Sequence, residues 1–192
     1  MLTILIPTFA RNYFLTRKLH NLAAQNCRHK ILIADSSPQE IAEQNAHVIE
    51  ARRQSLDIDY CLHKKETHWA QKVGMGIEKI KTPYSLMSFD DDFLNLSAVS
   101  KGLSHLETHP RTVSASGLIA DFIRPLDTSF PVQRVPIPGK SMAFDDSDPL
   151  VRIERVLVEK RLRNPLFFLW RSEILKQIFR PIAKAPHRKY SE

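Results

Sequence analysis

The chain of 192 residues carries 28 Lys+Arg against 21 Asp+Glu, a formal charge of +7, with 43% apolar and 26% charged residues. That length suits one domain or a small two-part domain with its own core, and the composition excludes a disordered or fibrous chain. Five glycines are too few to favour a function built on a glycine-rich phosphate cradle.

Residues 2–6 form a short β-prone apolar run stopped by Pro7, which predicts a buried strand. Leu15, Leu19, Leu22 and Ala23 follow at helical spacing. Residues 30–34 predict a second strand ending at Asp35-Ser36-Ser37-Pro38, a turn and helix-start signal, with a helix over 39–54. A third strand over 57–62 and helix over 69–80 come next, the helix ended by Thr82-Pro83. A fourth strand over 84–89 runs into Asp90-Asp91-Asp92. Four alternations in about 90 residues argue for an α/β fold with a mostly parallel sheet and right-handed crossovers. Ligands of such sheets bind beyond the carboxyl ends of the strands. Three of the four ends carry polar groups that would converge there: Pro7-Thr8 with Arg11, Asp35-Ser36-Ser37, and the acidic triplet.

A helix over 96–109 closes this pattern, and the chain then changes character. Residues 111–142 hold β-prone pieces and Pro125, Pro131, Pro136 and Pro138, predicting bent strands and loops. Asp145 to Pro149 read as a helix start with a helix over 150–162, then a late strand over 166–170 and a last helix from a Ser172 cap to 178. The domain reading is 1–110 and 111–192. All the excess positive charge lies in the last 42 residues, which hold 11 Lys+Arg against 4 Asp+Glu. Such a segment can meet phosphates, nucleic acid or an anionic membrane surface, or simply keep a face solvated.

Cys27 and Cys61 lack CxxC spacing or a histidine partner for zinc, and read as idle thiols of a reducing compartment. With no signal-peptide pattern and no apolar run near 20 residues, the expected location is cytoplasmic.

The acidic triplet carries the most chemistry. Three adjacent carboxylates repel, and in extended backbone Asp90 and Asp92 would point to one side and Asp91 to the other. A hard divalent cation, Mg²⁺ or Mn²⁺, relieves that repulsion and can hold a diphosphate; the plainer reading is a solvated acidic turn or helix-capping aspartates. Asp35 is either the cap of the next helix or a carboxylate for the polar edge of a base. Lys72 and Arg11 are either surface cations or phosphate partners. Gly74-Met75-Gly76 has Lys79 where a dinucleotide fingerprint needs glycine, and Gly139-Lys140-Ser141 has Arg134 where a P-loop needs its first. His105 and His109 share a helix face without a third ligand.

At this point the residues resemble a family 2 glycosyltransferase of the GT-A fold. Residues 2–11 (LTILIPTFAR) resemble the family's opening strand and turn, Ile31-Leu-Ile-Ala-Asp35-Ser-Ser its second strand, and Leu86-Met-Ser-Phe-Asp90-Asp91-Asp92 its DxD element. Beyond residue 96 the likeness is looser, though Phe167-Phe-Leu-Trp-Arg171-Ser-Glu-Ile-Leu resembles the late strand and helix.

The resemblance implies a Rossmann-like sheet with a shortened acceptor part at the C-terminal side. Pro7, Thr8 and Arg11 would line the nucleotide pocket, Asp35 would contact the base, and Lys72 would face the nucleotide. Asp90 or Asp91 would approach the ribose and sugar, and Asp92 would ligate Mn²⁺ or Mg²⁺. It implies sugar transfer from a nucleoside diphosphate sugar, UDP-linked, to the hydroxyl of a glycan or lipid-linked acceptor, with inversion, in surface glycan synthesis. Inverting members use an acceptor-side carboxylate as base, and here Glu192 stands about where it is expected. Pro38-Gln39-Glu40 and Gln71-Lys72-Val73 depart from the family pattern. The alternatives are a donor-binding module that needs a partner, and a basic nucleic-acid-binding protein. Nothing motif-like supports the latter, so no nucleic acid is expected. The basic tail would suit peripheral contact with the inner face of an anionic membrane.

Overall fold

A computed structural model of the chain describes residues 1–118, 121–123, 133–135, 144–159 and 165–185. Two compact units result: Met1–Ala115 with the described part of Leu166–Glu192, and Ser116–Pro165.

The first unit is built on β1 (Leu2–Thr8), α1 (Asn12–Ala24), β2 (Lys30–Asp35), α2 (Gln39–Arg52), β3 (Ile58–Leu62), α3 (Trp69–Lys79), β4 (Tyr84–Met87), α4 (Leu96–Thr108) and β5 (Ser114–Ala115). Of the second unit, β6 (Asp121–Ile123) and β7 (Gln133–Val135) form an antiparallel pair. There α5 (Pro149–Glu159) begins with proline in its first turn, and Asp148 accepts from the backbone N–H of Leu150 at 2.8 Å. The chain then completes the first unit with β8 (Leu169–Arg171) and α6 (Ser172–Lys184).

The sheet of the first unit has the order β3-β2-β1-β4-β8-β5. β1 to β4 are parallel, while β8 inserts antiparallel to both β4 and β5. The expected mostly parallel sheet flanked by helices is therefore present. Strand alternation divides the core. Ile4, Ile6, Ile31 and Ile33 pack with Leu15, Leu19 and Leu22 of α1 and Leu106 of α4. Leu5, Leu32 and Ala34 turn to the other face, against Val73 and Ile77 of α3 and Leu175 and Phe179 of α6. The two α3 glycines serve this packing: a Cβ on Gly74 would stand 2.4 Å from that of Ala183, and one on Gly76 2.8 Å from a Leu5 methyl.

Three local expectations are corrected. Pro7 does not stop β1, which continues to Thr8 with Pro7 opposite Ala34. Alternate residues of β1 turn their polar groups to β4, where Leu5 O accepts from Ser88, and to β2, where Thr8 O accepts from Ser36. The missing N–H of Pro7 thus faces the β4 side, beyond the last β4 pairing at Leu5, and leaves no ladder bond unmade. The late strand is shorter than residues 166–170 predicted, because Pro165–Phe167 form a 3₁₀ turn ahead of it. Ser172 is the first residue of α6 rather than its cap; the cap position is Arg171, and the Ser172 hydroxyl is buried without a hydrogen-bond partner. Pro125, Pro131, Pro136, Pro138, the Gly139-Lys140-Ser141 motif and Glu192 lie outside the described residues.

Candidate functional site

The ends of β1, β2 and β4 bring the predicted residues to one edge. Past β4 the backbone turns at Asp90 and Asp91 instead of continuing extended, so the alternation of side chains expected for the triplet is replaced. Asp90 is buried and accepts from the Thr8 hydroxyl at 2.6 Å. Arg11 reaches Asp91 at 2.8 Å and Asp90 at 3.4 Å. Asp92 folds back, its carboxylate accepting from the Phe89 N–H at 3.1 Å.

Two further cations of α1 hold the same turn, and the sequence reading missed both. Arg17 donates to the Asp91 carbonyl at 2.9 Å and lies over the rings of Phe14 and Phe93. Lys18, only 1% exposed, donates to the Ser88 hydroxyl and, at 3.0 Å, to the Asp92 carbonyl. The signal for Lys18 was available: a lysine inside the stripe of Leu15, Leu19 and Leu22 is buried only if something polar awaits it.

Asp35 is completely buried. One carboxylate oxygen accepts from the Ser37 N–H at 2.7 Å and its hydroxyl at 2.5 Å; the other accepts from Asn45 Nδ2 and the Tyr60 hydroxyl, both at 2.7 Å. Asn12 of α1 extends this network to Asn45 at 3.0 Å. Asp35 therefore ties together β2, β3, α2 and α1, and it reaches a base directly only if one of these donors lets go. It is not the cap of α2, whose cap position is Pro38. Burial, then the hydrogen bond to Asp35 and its charge, raise the Tyr60 phenol above its ordinary range. A cavity of about 730 Å³ opens beside this network, with Ser37, Ala42, Tyr60, Leu62 and His63 in its lining. His63 Nε2 is buried and has no hydrogen-bond partner.

Lys72 is buried rather than a solvated surface cation. Its ammonium donates to Thr8 O at 2.6 Å and Ser36 Oγ at 3.0 Å, clamping the ends of β1 and β2, and it lies 5.9 Å from the Phe9 ring centre. Ala10, between β1 and α1, has a left-handed φ of 53°. Its N–H donates to Ser37 Oγ at 2.8 Å, which pins this strained loop to the end of β2.

Burial sets the electrostatics of the edge. It raises the Asp92 carboxyl, against the opposing charge of Lys18, and lowers the Lys72 ammonium. It lowers Lys18 from 10.5 to about 8, although Asp92, Asp90 and Asp91 pull the other way. Between those two values the unfolded chain binds more protons than the folded one, so this group adds stability as pH rises from about 8 to 10.5. At about 1.36 kcal/mol per pKa unit the window is worth roughly 3 kcal/mol. Urea unfolding of wild type and Lys18→Met over that range is expected to show the difference between them shifting in favour of wild type by that order. A pH-independent difference contradicts the assignment.

Among the described residues no group of three or more His, Cys, Asp or Glu could hold a metal by itself. The donor set still fits Mg²⁺ or Mn²⁺ in the form these ions usually take, with one or two carboxylates completed by phosphate oxygens and water. Asp92 and the half-exposed Asp91 are hard oxygen donors at that place. The His105 and His109 rings stack at 4.2 Å on the exposed side of α4. Cys27 and Cys61 are free thiols. No described helix is long and apolar enough to cross a membrane.

No protein-family model matches the chain, and no curated protein matches it in sequence. Among solved structures, S. aureus TarS 1–349 in complex with UDP superposes with a TM-score of 0.61 at 14% identity, over 92% of this chain and 48% of that one. TarS 1–349 in complex with UDP-GlcNAc gives 0.59 at 14% identity, over 92% and 47%. The mannosyltransferase PcManGT from Pyrobaculum calidifontis in complex with GDP-Man and Mn²⁺ gives 0.60 at 14% identity, over 92% and 46%. The chain spans about half the length of these structures. With β8 inserted antiparallel into an otherwise parallel sheet flanked by helices, the chain has the GT-A-like α/β fold of these structures.

Proposed function

We propose that this chain binds a nucleoside diphosphate sugar, UDP-linked, along the carboxyl edge of β1, β2 and β4, and that it is a glycosyltransferase of the family 2 type. The observation that carries this reading is the convergence of Thr8, Arg11, Asp35, Lys72 and the Asp90–Asp92 turn on that edge, from three separate strand ends. Structures of the same fold hold UDP, UDP-GlcNAc and GDP-Man, the last with Mn²⁺.

In this reading Pro7 and Thr8 form the floor of the nucleotide pocket, and Lys72 keeps that floor closed by joining β1 to β2. Asp35 acts on the base end through Ser37 and Tyr60, whose positions it fixes. Asp90 and Asp91 face the ribose and sugar, and Asp92, with Asp91 beside it, would hold the metal. A bound Mg²⁺ or Mn²⁺ supplies neutralisation of the charge that the nucleoside diphosphate gains on leaving. Transfer is to a glycan or lipid-linked hydroxyl with inversion, in surface glycan synthesis, with Glu192 as the acceptor-side base. The basic residues 151–192 suit an anionic membrane surface on the cytoplasmic side.

The test is nucleotide release from a panel of UDP- and GDP-sugars with Mn²⁺ and a glycan acceptor. Release from one donor, lost on chelation, is the expected result. Donor binding without release supports instead a binding module completed by a partner, and absence of any nucleotide binding overturns both.

A further inference from the structure

We propose that Arg11 is a stored counter-ion for the donor's diphosphate: it neutralises Asp91 and Asp90 in the donor-free chain and leaves them when a divalent cation and a nucleoside diphosphate enter. The inference rests on the donor-binding reading above and adds to it an exchange of partners at one residue. Arg11 occupies the cap position of α1, its side chain makes no capping hydrogen bond, and it is followed by a first turn without acidic residues. A cation there works against the helix dipole, so its placement is explained by the carboxylates across from it and not by the helix.

Arg11 at the cap of α1 and Arg17 and Lys18 within it all bond to the acidic turn, and their burial separates their tasks. Lys18 is enclosed and holds backbone and Ser88, so it fixes the position of the turn. Arg17 holds the Asp91 carbonyl and is braced between two rings. Only Arg11 bonds to carboxylates, and its side chain is 50% exposed against 44% for Asp91. Exposed ion pairs of this kind are weak and readily exchanged. Its second contact, to Asp90, is long at 3.4 Å, and Asp90 keeps the Thr8 hydroxyl at 2.6 Å when Arg11 departs. The backbone is pinned on the near side by the Ala10–Ser37 bond, so the exchange needs only side-chain rotation. A guanidinium freed at the mouth of the edge presents a planar fork suited to two phosphate oxygens.

The test measures two affinities on wild type, Arg11→Gln and Arg11→Lys: Mn²⁺ alone by electron paramagnetic resonance, and UDP with Mn²⁺ by calorimetry. Exchange predicts opposite signs for Arg11→Gln. Without nucleotide it binds Mn²⁺ about three- to fivefold tighter, because a competing pair is gone, while UDP binds at least about tenfold weaker. Arg11→Lys keeps Mn²⁺ affinity near wild type and loses part of the UDP affinity. Mn²⁺ binding that is unchanged or weaker in Arg11→Gln, with UDP binding intact in wild type, overturns the exchange and leaves the donor reading standing. Wild type that binds neither UDP nor GDP overturns both.

Discussion

Replacing Asp35 by alanine is expected to lower the unfolding free energy by about 3–5 kcal/mol. The substitution leaves the Ser37 N–H and hydroxyl and Asn45 Nδ2 without their acceptor, around a side chain with no exposure of its own, and leaves the Tyr60 hydroxyl only the long contact to Ala42 O at 3.5 Å. Each was satisfied by a charged acceptor, the strongest kind. Ser37 and Asn45 are themselves buried, so the cost of buried unpaired donors applies to them, while the half-buried Tyr60 beside the cavity contributes less. Asp35→Asn is expected to fall between the two, because its oxygen serves one pair of donors while its amide confronts the other. Denaturant midpoints check both; a loss below about 1 kcal/mol for Asp35→Ala contradicts the network.

Asp92→Asn is expected to remove the Mn²⁺-dependent part of nucleotide binding, weakening it by about 100-fold or more, since even partners one bond removed from a metal contribute about 10- to 100-fold. The fold should survive. Asp92 is only half-buried, and an asparagine oxygen can still accept from the Phe89 N–H. The turn also remains anchored through backbone, by Lys18 and Arg17. Equal Mn²⁺ dependence in wild type and Asp92→Asn places the metal elsewhere.

The alternation of strand and helix was legible because it is written in local periodicity: Leu15, Leu19 and Leu22 recur at helical spacing and all are buried. The strand ends that carry Thr8, Asp35 and the acidic triplet could be read for the same reason. What escaped depends on distant partners. Nothing near Asp35 announces Tyr60, 25 residues on, as one of its donors. Lys72 reads as either a surface cation or a phosphate partner until α3 is seen to lay it over the ends of β1 and β2, 64 residues from Thr8. The antiparallel insertion of β8 beside β4 is likewise a pairing of Leu86 with Leu169, which no window contains. Pro7 misled because a proline stops a strand only where its missing N–H is needed, and that depends on where β4 ends.

The proposed function stands or falls with a nucleotide site on the carboxyl edge of β1, β2 and β4 that works with a divalent cation. Calorimetric titration of the full chain with UDP and GDP, each with Mn²⁺ and with chelator, tests it most directly. Saturable binding of one nucleotide, strengthened by Mn²⁺ in wild type but not in Asp92→Asn, is the expected result; no binding of either nucleotide under any of these conditions overturns the donor site.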